Sequence, residues 1–232
     1  MKVVISLSGG MDSTTVVGLC HHLGHEIIPV MFSYGSKHNP YENEAAVKVA
    51  GYYGLREIHK IDLTEAMAGF KSNLLKSGGD IPEGHYESES MSATVVPGRN
   101  TIFLSMLMGY AESIGAEAVA IGVHAGDHHI YPDCRPEFIQ AMMDVYKAAT
   151  EGKVALLAPF LYDNKTSILE QGYSYEKPAP YALTRTCYKD QPVSCGKCGS
   201  CQERLEAYRN FGIDDPIQYE TREALPKEDT DV

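Results

Sequence analysis

Three hydroxyls, two glycines and an acid lie close together in the stretch SGGMDST, residues 8–14. An apolar run, Val3 to Ile5, precedes this stretch and a helical pattern follows it. A glycine turn between a strand and a helix directs several backbone N–H groups and the positive end of a helix dipole at one point, where an anion binds. The hydroxyls of Ser8, Ser13 and Thr14 can donate to phosphate oxygens. A capped turn without a ligand is the alternative that the residues alone leave open.

Asp12 needs a separate explanation, because a carboxylate would repel phosphate. We expect it either to cap the helix or to hold a Mg²⁺ ion that bridges phosphate oxygens. The spacing of the stretch matches neither GxxxxGK[ST] nor GxGxxG. This mismatch argues against a conventional P-loop nucleoside triphosphatase and against an enzyme that uses a hydride-transfer cofactor.

Four of the six cysteines are clustered near the C-terminus: Cys187, Cys195, Cys198 and Cys201. Neighbouring glycines permit sharp turns between them. Four thiolates without an open coordination position are typical of a structural zinc site. Two disulfides or an iron–sulfur cluster are the alternatives. We disfavour them because the start MKVVISLSGG does not resemble a secretory signal and nothing near the cluster indicates redox chemistry.

Two further segments carry groups that could contact a ligand. VPGRN, residues 96–100, places Arg99 and Asn100 at the start of a helical pattern, where an arginine can bind phosphate or carboxylate. The segment 122–138 is dense in polar side chains: His124, Asp127, His128, His129, Tyr131, Asp133 and Arg135. We expect them to bind a polar heterocycle rather than a metal, because the histidines lack the HExxH pattern; the roles of the three histidines stay open. Cys134 is predicted to be a packed thiol rather than a nucleophile.

The elements that must position these segments alternate along the first half of the chain. Apolar runs KVVISL, EIIPVMFSY, EIHKIDL and AEAVAIGV are separated by helical patterns at 12–23, 41–53 and 101–113. This alternation predicts an α/β fold, a doubly wound parallel sheet of Rossmann-like layout. Its ligands would bind at the carboxyl ends of the strands. We predict a core domain at residues 1–160, a C-terminal zinc-binding region of helices and loops at 161–232, and a surface loop or lid at 71–92.

Composition narrows the class of partner. The 232-residue chain has a net charge of -11, which disfavours sequence-independent binding of nucleic acid and favours a small molecule. There is no apolar run long enough to span a membrane. We expect a cytoplasmic protein without stable nucleic-acid binding.

SGGMDST at the first strand-to-helix turn resembles the PP-loop of the ATP pyrophosphatase superfamily. Together with SYGSKH, VPGRN, YPDCRPEF, NKTSIL and TCY before CGKCGSC, in this order, it resembles the QueC family of 7-cyano-7-deazaguanine synthases from residue 3 to about residue 210. The resemblance implies a homodimer with a core like that of the adenine nucleotide alpha hydrolases and a zinc-bearing C-terminal part. It also implies conversion of 7-carboxy-7-deazaguanine and ammonia to the nitrile, through an adenylated carboxylate and an amide, at the expense of ATP.

The resemblance assigns three sets of residues. The ATP-binding set is Leu7, Ser8, Gly9, Gly10, Met11, Asp12, Ser13, Thr14, Thr15, Val16, Val17, Ser33, Tyr34 and Gly35, with Asp12 also the Mg²⁺ candidate. The substrate and catalytic candidates are Arg99, Asn100, Asp127, Tyr131, Asp133, Arg135 and Lys165. The zinc ligands are the four clustered cysteines.

The chain also departs from the family pattern. It has TRTCY where the family often shows tWSCY, and paired histidines in HAGDHHI. These departures leave the details of the substrate open. A PP-loop ligase acting on DNA, tRNA or protein, and a non-catalytic ATP-binding zinc protein, are the alternatives.

Overall fold

The computed structural model describes residues 1–55 and 57–226. Its strands are β1 Lys2–Ser6, β2 Glu26–Ser33, β3 His59–Asp62, β4 Ala118–Ala120 and β5 Ala155–Leu157. Its α-helices are α1 Met11–His22, α2 Asn39–Tyr52, α3 Arg99–Ser113, α4 Pro136–Ala149, α5 Lys165–Ser174 and α6 Gly199–Phe211. Among these residues, no helix combines the length and apolar character needed to cross a membrane.

All five strands are parallel and lie in the order β3-β2-β1-β4-β5. Val3 of β1 is paired with Ile27 of β2 on one side and with Ala118 of β4 on the other. The connections therefore run in opposite directions from β1, and a crevice opens between the carboxyl ends of β1 and β4. The predicted doubly wound sheet is confirmed.

The central strand β1 is buried on both faces, which explains its uninterrupted apolar run. Val4 packs in one core with Leu104 of α3 and Ile139 of α4. Val3 lies in the opposite core with Val16 of α1, and α2 completes that layer through Ala46 and Val49.

Two predictions about the elements need correction. The fourth predicted strand is only three residues long, and the structure adds β5 and helix α4, which the sequence interpretation did not include. Strands of three residues give little periodic signal. Residues 71–92 are not simply a surface loop: Leu74, Leu75, Ile81 and Met91 are buried, and an isolated β-bridge pairs Glu83 with Cys198.

Arg204 joins the C-terminal segments. Its guanidinium is fully buried and donates to both carboxylate oxygens of Asp215, at 2.7 and 2.9 Å. It also donates to the hydroxyls of Thr184 and Thr186 and to the carbonyl oxygen of Tyr181. These contacts hold α6 against the segment that precedes the cysteine cluster.

Candidate functional site

The loop between β1 and α1 has the geometry of an anion site. Gly9 has φ +83°, and a Cβ atom there would lie 2.6 Å from the backbone of both Ala46 and Glu42. Only glycine fits such a close approach. Gly10 is the N-cap of α1 and has no side chain to accept from the first N–H groups of the helix, so these groups are available to a ligand.

Two of the three candidate hydroxyls of this loop, those of Ser8 and Ser13, lie side by side, and the third, that of Thr14, is buried. Ser8 Oγ lies 3.1 Å from Ser13 Oγ and accepts from the N–H of Gly10 at 3.2 Å. Thr14 Oγ1 is buried and has no hydrogen-bond partner among the described residues. Thr15 instead bonds to Met11 O and the Tyr181 hydroxyl, so its role is structural. The loop thus presents two hydroxyls and the helix terminus to one point.

This loop forms one wall of a cavity of about 200 Å³ at the carboxyl ends of β1, β2 and β4. The predicted residues that line it are Leu7, Ser8, Asp12, Ser13, Tyr34, Arg99, Asn100, Asp127 and Tyr131. The predicted residues outside its lining are Gly9, Gly10, Met11, Thr14, Thr15, Val16, Val17, Ser33, Gly35, Asp133, Arg135 and Lys165. Val16 and Val17 pack in the core. Hence the cavity brings together most of the polar candidates.

Aromatic rings form an apolar side of the cavity. Phe32 and Phe103 are stacked with their centroids 3.9 Å apart, and Tyr34 contacts Phe103 edge-on. Such a surface suits a planar heterocycle. Tyr188, the residue after Cys187, lines the same cavity. Sequence reasoning missed Phe32, Phe103 and Tyr188, since nothing in an apolar strand or an isolated tyrosine marks a ligand contact.

Glu42 is a further cavity residue that the sequence interpretation missed. Burial raises the pKa of Glu42 to about 8, although Arg99 and Arg185 act in the opposite direction. Burial lowers the pKa of the adjacent His38 to about 3, and the two arginines act in the same direction. The 3.4 Å contact between His38 Nε2 and Glu42 Oε2 therefore joins two neutral groups near neutral pH. We infer this state rather than an ion pair because desolvation disfavours a charge on either group, and the two arginines further disfavour a charged His38.

The loop after β4 shapes the site as well as lining it. Asp133 accepts from the backbone N–H of Asn100 at 2.9 Å and so caps α3. Arg135 is exposed and donates to the carbonyl oxygen of His128. Cys134 is buried, and burial raises the pKa of its thiol well above the usual value, which agrees with the prediction of a packed thiol. Asp133 and Arg135 thus stabilise the loop in this structure.

Beside the cavity lies a charged group that we call the Asp12 cluster: Asp12, His124, Asp127, Lys165 and Glu203. Lys165 Nζ lies 2.7 Å from Asp12 Oδ2 and 3.2 Å from Glu203 Oε2. Burial acts to raise the pKa of Asp12, but Lys165 and His124 outweigh it and hold this pKa below its usual value. Asp12 is therefore ionised. Glu203 was not predicted, because its position in the cluster depends on how α6 packs against the rest of the chain.

One carboxylate oxygen of Asp12 is left for a ligand. Its Oδ1 is buried and has no hydrogen-bond partner among the described residues. Mg²⁺ is commonly held by one or two carboxylates together with nucleotide phosphates. The position of this oxygen beside the loop fits that ion.

The four cysteines converge as predicted. Their Sγ atoms all lie within 4.8 Å of one another and all four residues are buried. Cys195 Sγ accepts from the N–H groups of Lys197 and Cys198 at 3.3 Å, as thiolate ligands do. Within residues 1–55 and 57–226, this is the only group of three or more potential ligands close enough to hold a metal, so the histidines of the loop after β4 form no such group. The donor set fits zinc.

Comparison with known proteins gives a consistent answer. The family model described as "Queuosine biosynthesis protein QueC" matches residues 2–212. A 7-cyano-7-deazaguanine synthase from Pseudoalteromonas atlantica is 46% identical over 222 residues, which cover 94% of this chain and 99% of the relative. A 7-cyano-7-deazaguanine synthase 1 from Colwellia psychrerythraea is 47% identical over 220 residues, with the same coverage of both chains. The residues that form the phosphate loop, the cavity and the cysteine cluster all lie within the matched range, and the chain belongs to the QueC family.

Proposed function

We propose that the protein is an ATP-dependent ligase that converts 7-carboxy-7-deazaguanine and ammonia to 7-cyano-7-deazaguanine. The observation that carries this proposal is the single cavity in which the phosphate loop, Arg99 and the stacked Phe32 and Phe103 face one another. The names of the relatives support the same substrate.

The proposed reaction consumes two ATP molecules, one after the other, at the same site. A carboxylate oxygen attacks the α-phosphorus of ATP and pyrophosphate leaves. Ammonia then attacks the acyl carbon, and the bond between that carbon and the oxygen of AMP breaks, so that AMP leaves. The nitrogen loses one proton to give the amide. The amide oxygen then attacks the α-phosphorus of a second ATP and a second pyrophosphate leaves. Loss of AMP and the two remaining N–H protons gives the nitrile. Each adenylation presents the same charge to the same loop.

The residues of the site have complementary roles in this proposal. The loop between β1 and α1 and the turn Ser33 to Gly35 bind ATP, with Ser8, Ser13 and the α1 N-terminus on the phosphates. Arg99 offsets the negative charge that develops at the carboxylate or at the adenylate. When bound, Mg²⁺ on Asp12 would neutralise phosphate charge. Asn100, Asp127 and Tyr131, which line the cavity, would hydrogen-bond the heterocycle. Asp133 would hold Asn100, Arg135 would hold the loop at His128, and Lys165 would hold Asp12.

The remaining parts of the proposal concern organisation. We propose a division into a nucleotide-binding core, 1–160, and a zinc-binding region, 161–232, of which residues 227–232 lie outside the described residues. Zinc would join Cys187, beside the cavity residue Tyr188, to Cys201 on α6. We also propose a cytoplasmic location, since six cysteines without a disulfide suit a reducing compartment, and a homodimer, which the family resemblance implies.

The test is direct. Purified protein is incubated with the carboxylate, ammonium, Mg²⁺ and ATP, and the products are identified by mass; we expect two AMP for each nitrile. Asp12→Asn should lower turnover by about 100-fold, whereas Asp144→Asn, the same change on the exposed face of α4, should not. Pyrophosphate release only with tRNA, DNA or protein would favour the alternative ligase. Binding of ATP without turnover would favour a sensor.

A further inference from the structure

Two smaller cavities adjoin the Asp12 cluster on the side away from the phosphate loop. The outer cavity, of about 150 Å³, lies between α5 and α6 and has the exposed residues Asn164 and Asn210 at its rim. The inner cavity, of about 20 Å³, shares Tyr86, Gly126 and Glu203 with the outer one. It shares another three residues, Asp127, Tyr131 and Tyr188, with the main cavity. The three cavities therefore adjoin one another from the surface to the site.

The inner cavity selects by size. A volume of this kind holds one molecule as small as water, and ammonia has the same number of heavy atoms. ATP and the deazaguanine are far too large for it. A molecule that passes through the inner cavity must therefore be about the size of water or ammonia.

The charges along the three cavities favour a cation. Glu206 faces the outer cavity, Glu203 borders both smaller cavities, and Asp127 borders the inner and main cavities. The cationic groups are fewer. Arg99 lines the main cavity, Lys165 is held by Asp12 and Glu203, and His85 lies 3.7 Å from Glu206.

His124 shows that these carboxylates are not saturated by the protein. It is fully buried, and its Nδ1 accepts from the N–H of Gly126, so in the neutral ring Nε2 carries the proton. Nε2 points at Asp127 Oδ2, Glu203 Oε1 and Asp12 Oδ2 at 3.6 to 3.8 Å, beyond hydrogen-bond distance, and has no hydrogen-bond partner among the described residues. Asp127 Oδ2 and Glu203 Oε1 are thus left to accept from a ligand with several N–H donors, while Glu203 Oε2 pairs with Lys165.

We propose that this row of cavities is the entry route for ammonium, the nitrogen donor, and that Asp127 and Glu203 hold it at the entrance to the main cavity. The inference rests on the proposed function. Gly126 keeps the route open: a Cβ atom there would overlap Glu203 Oε1 and lie 2.8 Å from Cε1 of His124. Its φ lies outside the left-handed region, so an alanine would not strain the backbone, but it would have to push the Glu203 carboxylate aside.

The two half-reactions provide the test, because only the first one consumes ammonia. Gly126→Ala should raise the KM for ammonium about tenfold in the conversion of acid to amide. The conversion of supplied amide to nitrile should stay within about twofold of the original rate. Glu206→Gln, at the mouth, should raise the same KM about twofold to threefold at low salt. Its matched control is Glu170→Gln, on the exposed face of α5, which should change nothing.

The outcomes separate the two proposals. Absence of amide and nitrile with the unaltered protein at any ammonium concentration would end the proposed function. An active enzyme whose KM for ammonium is unchanged in Gly126→Ala, or whose two half-reactions slow equally, would overturn the route alone. Should Gly126→Ala not fold, the comparison of Glu206→Gln with Glu170→Gln decides, and equal KM values for ammonium would overturn the route.

Discussion

Lys165 Nζ lies 2.7 Å from Asp12 Oδ2, so the acid of the phosphate loop is paired with a lysine from a helix 153 residues further along the chain. The pair couples the N-terminus of α1 to the N-terminus of α5. It also explains how an ionised carboxylate is accommodated in this loop: the ammonium group of Lys165 offsets its charge. The resemblance suggested a substrate contact for Lys165, and the geometry favours a positioning role.

Replacing this lysine should be costly. In Lys165→Met, Asp12 and Glu203 lose their common cation while staying largely buried, and removal of one partner from a buried pair costs about 3 to 5 kcal/mol. Urea unfolding should show this loss. Lys153→Met is the control, because Lys153 is exposed and pairs only with surface acids. Equal free energies of unfolding for the two variants would contradict the prediction.

Glu42 should make stability depend on pH. Its pKa is raised by burial to about 8, so between about pH 5 and 8 the unfolded chain releases a proton that the folded chain keeps. The stabilisation is complete below the unfolded pKa and is lost as pH rises, by up to about 1.4 kcal/mol per pH unit.

Urea unfolding of Glu42→Gln at pH 5, 6.5 and 8 checks this dependence. The variant should lose this part of the slope, whereas Glu44→Gln, on the same helix but exposed, should keep it. Parallel curves for the original protein and Glu42→Gln would show that Glu42 ionises normally.

Loss of the metal should disturb the cavity as well as the C-terminal region. Cys187 precedes Tyr188, and Glu203 follows Cys201 by two residues on α6, so two side chains of the site depend on the position of the cysteine cluster. In Cys198→Ser we expect zinc content to fall well below one per chain and thermal stability to fall with it, since structural zinc contributes on the order of 10 kcal/mol.

Atomic emission and thermal unfolding measure both effects. Cys20→Ser is the control, because this buried cysteine of α1 lies apart from the cluster and should keep the full zinc content. A Cys198→Ser protein with undiminished zinc and an unchanged melting temperature would refute the structural role.

The parts that the sequence predicted well have strong local signals. The apolar run at Val3 to Ile5 is typical of a strand buried on both faces, and the spacing of the four cysteines is typical of a metal site. Glu42 and Glu203 had no such signal, because each lies in a polar helical segment where only tertiary packing decides which side chain faces the site. Tertiary packing also decides the position of Val16 and Val17, which follow SGGMDST on α1 and face the core.

The close approach at Gly9 also limits how the protein can vary. A Cβ atom at Gly9 would lie only 2.6 Å from the backbone of α2. Even an alanine would therefore have to push α1 and α2 apart, and this movement would displace Glu42. A library randomised at this codon and selected for folded protein should therefore return glycine alone, even in variants that no longer need to bind a nucleotide.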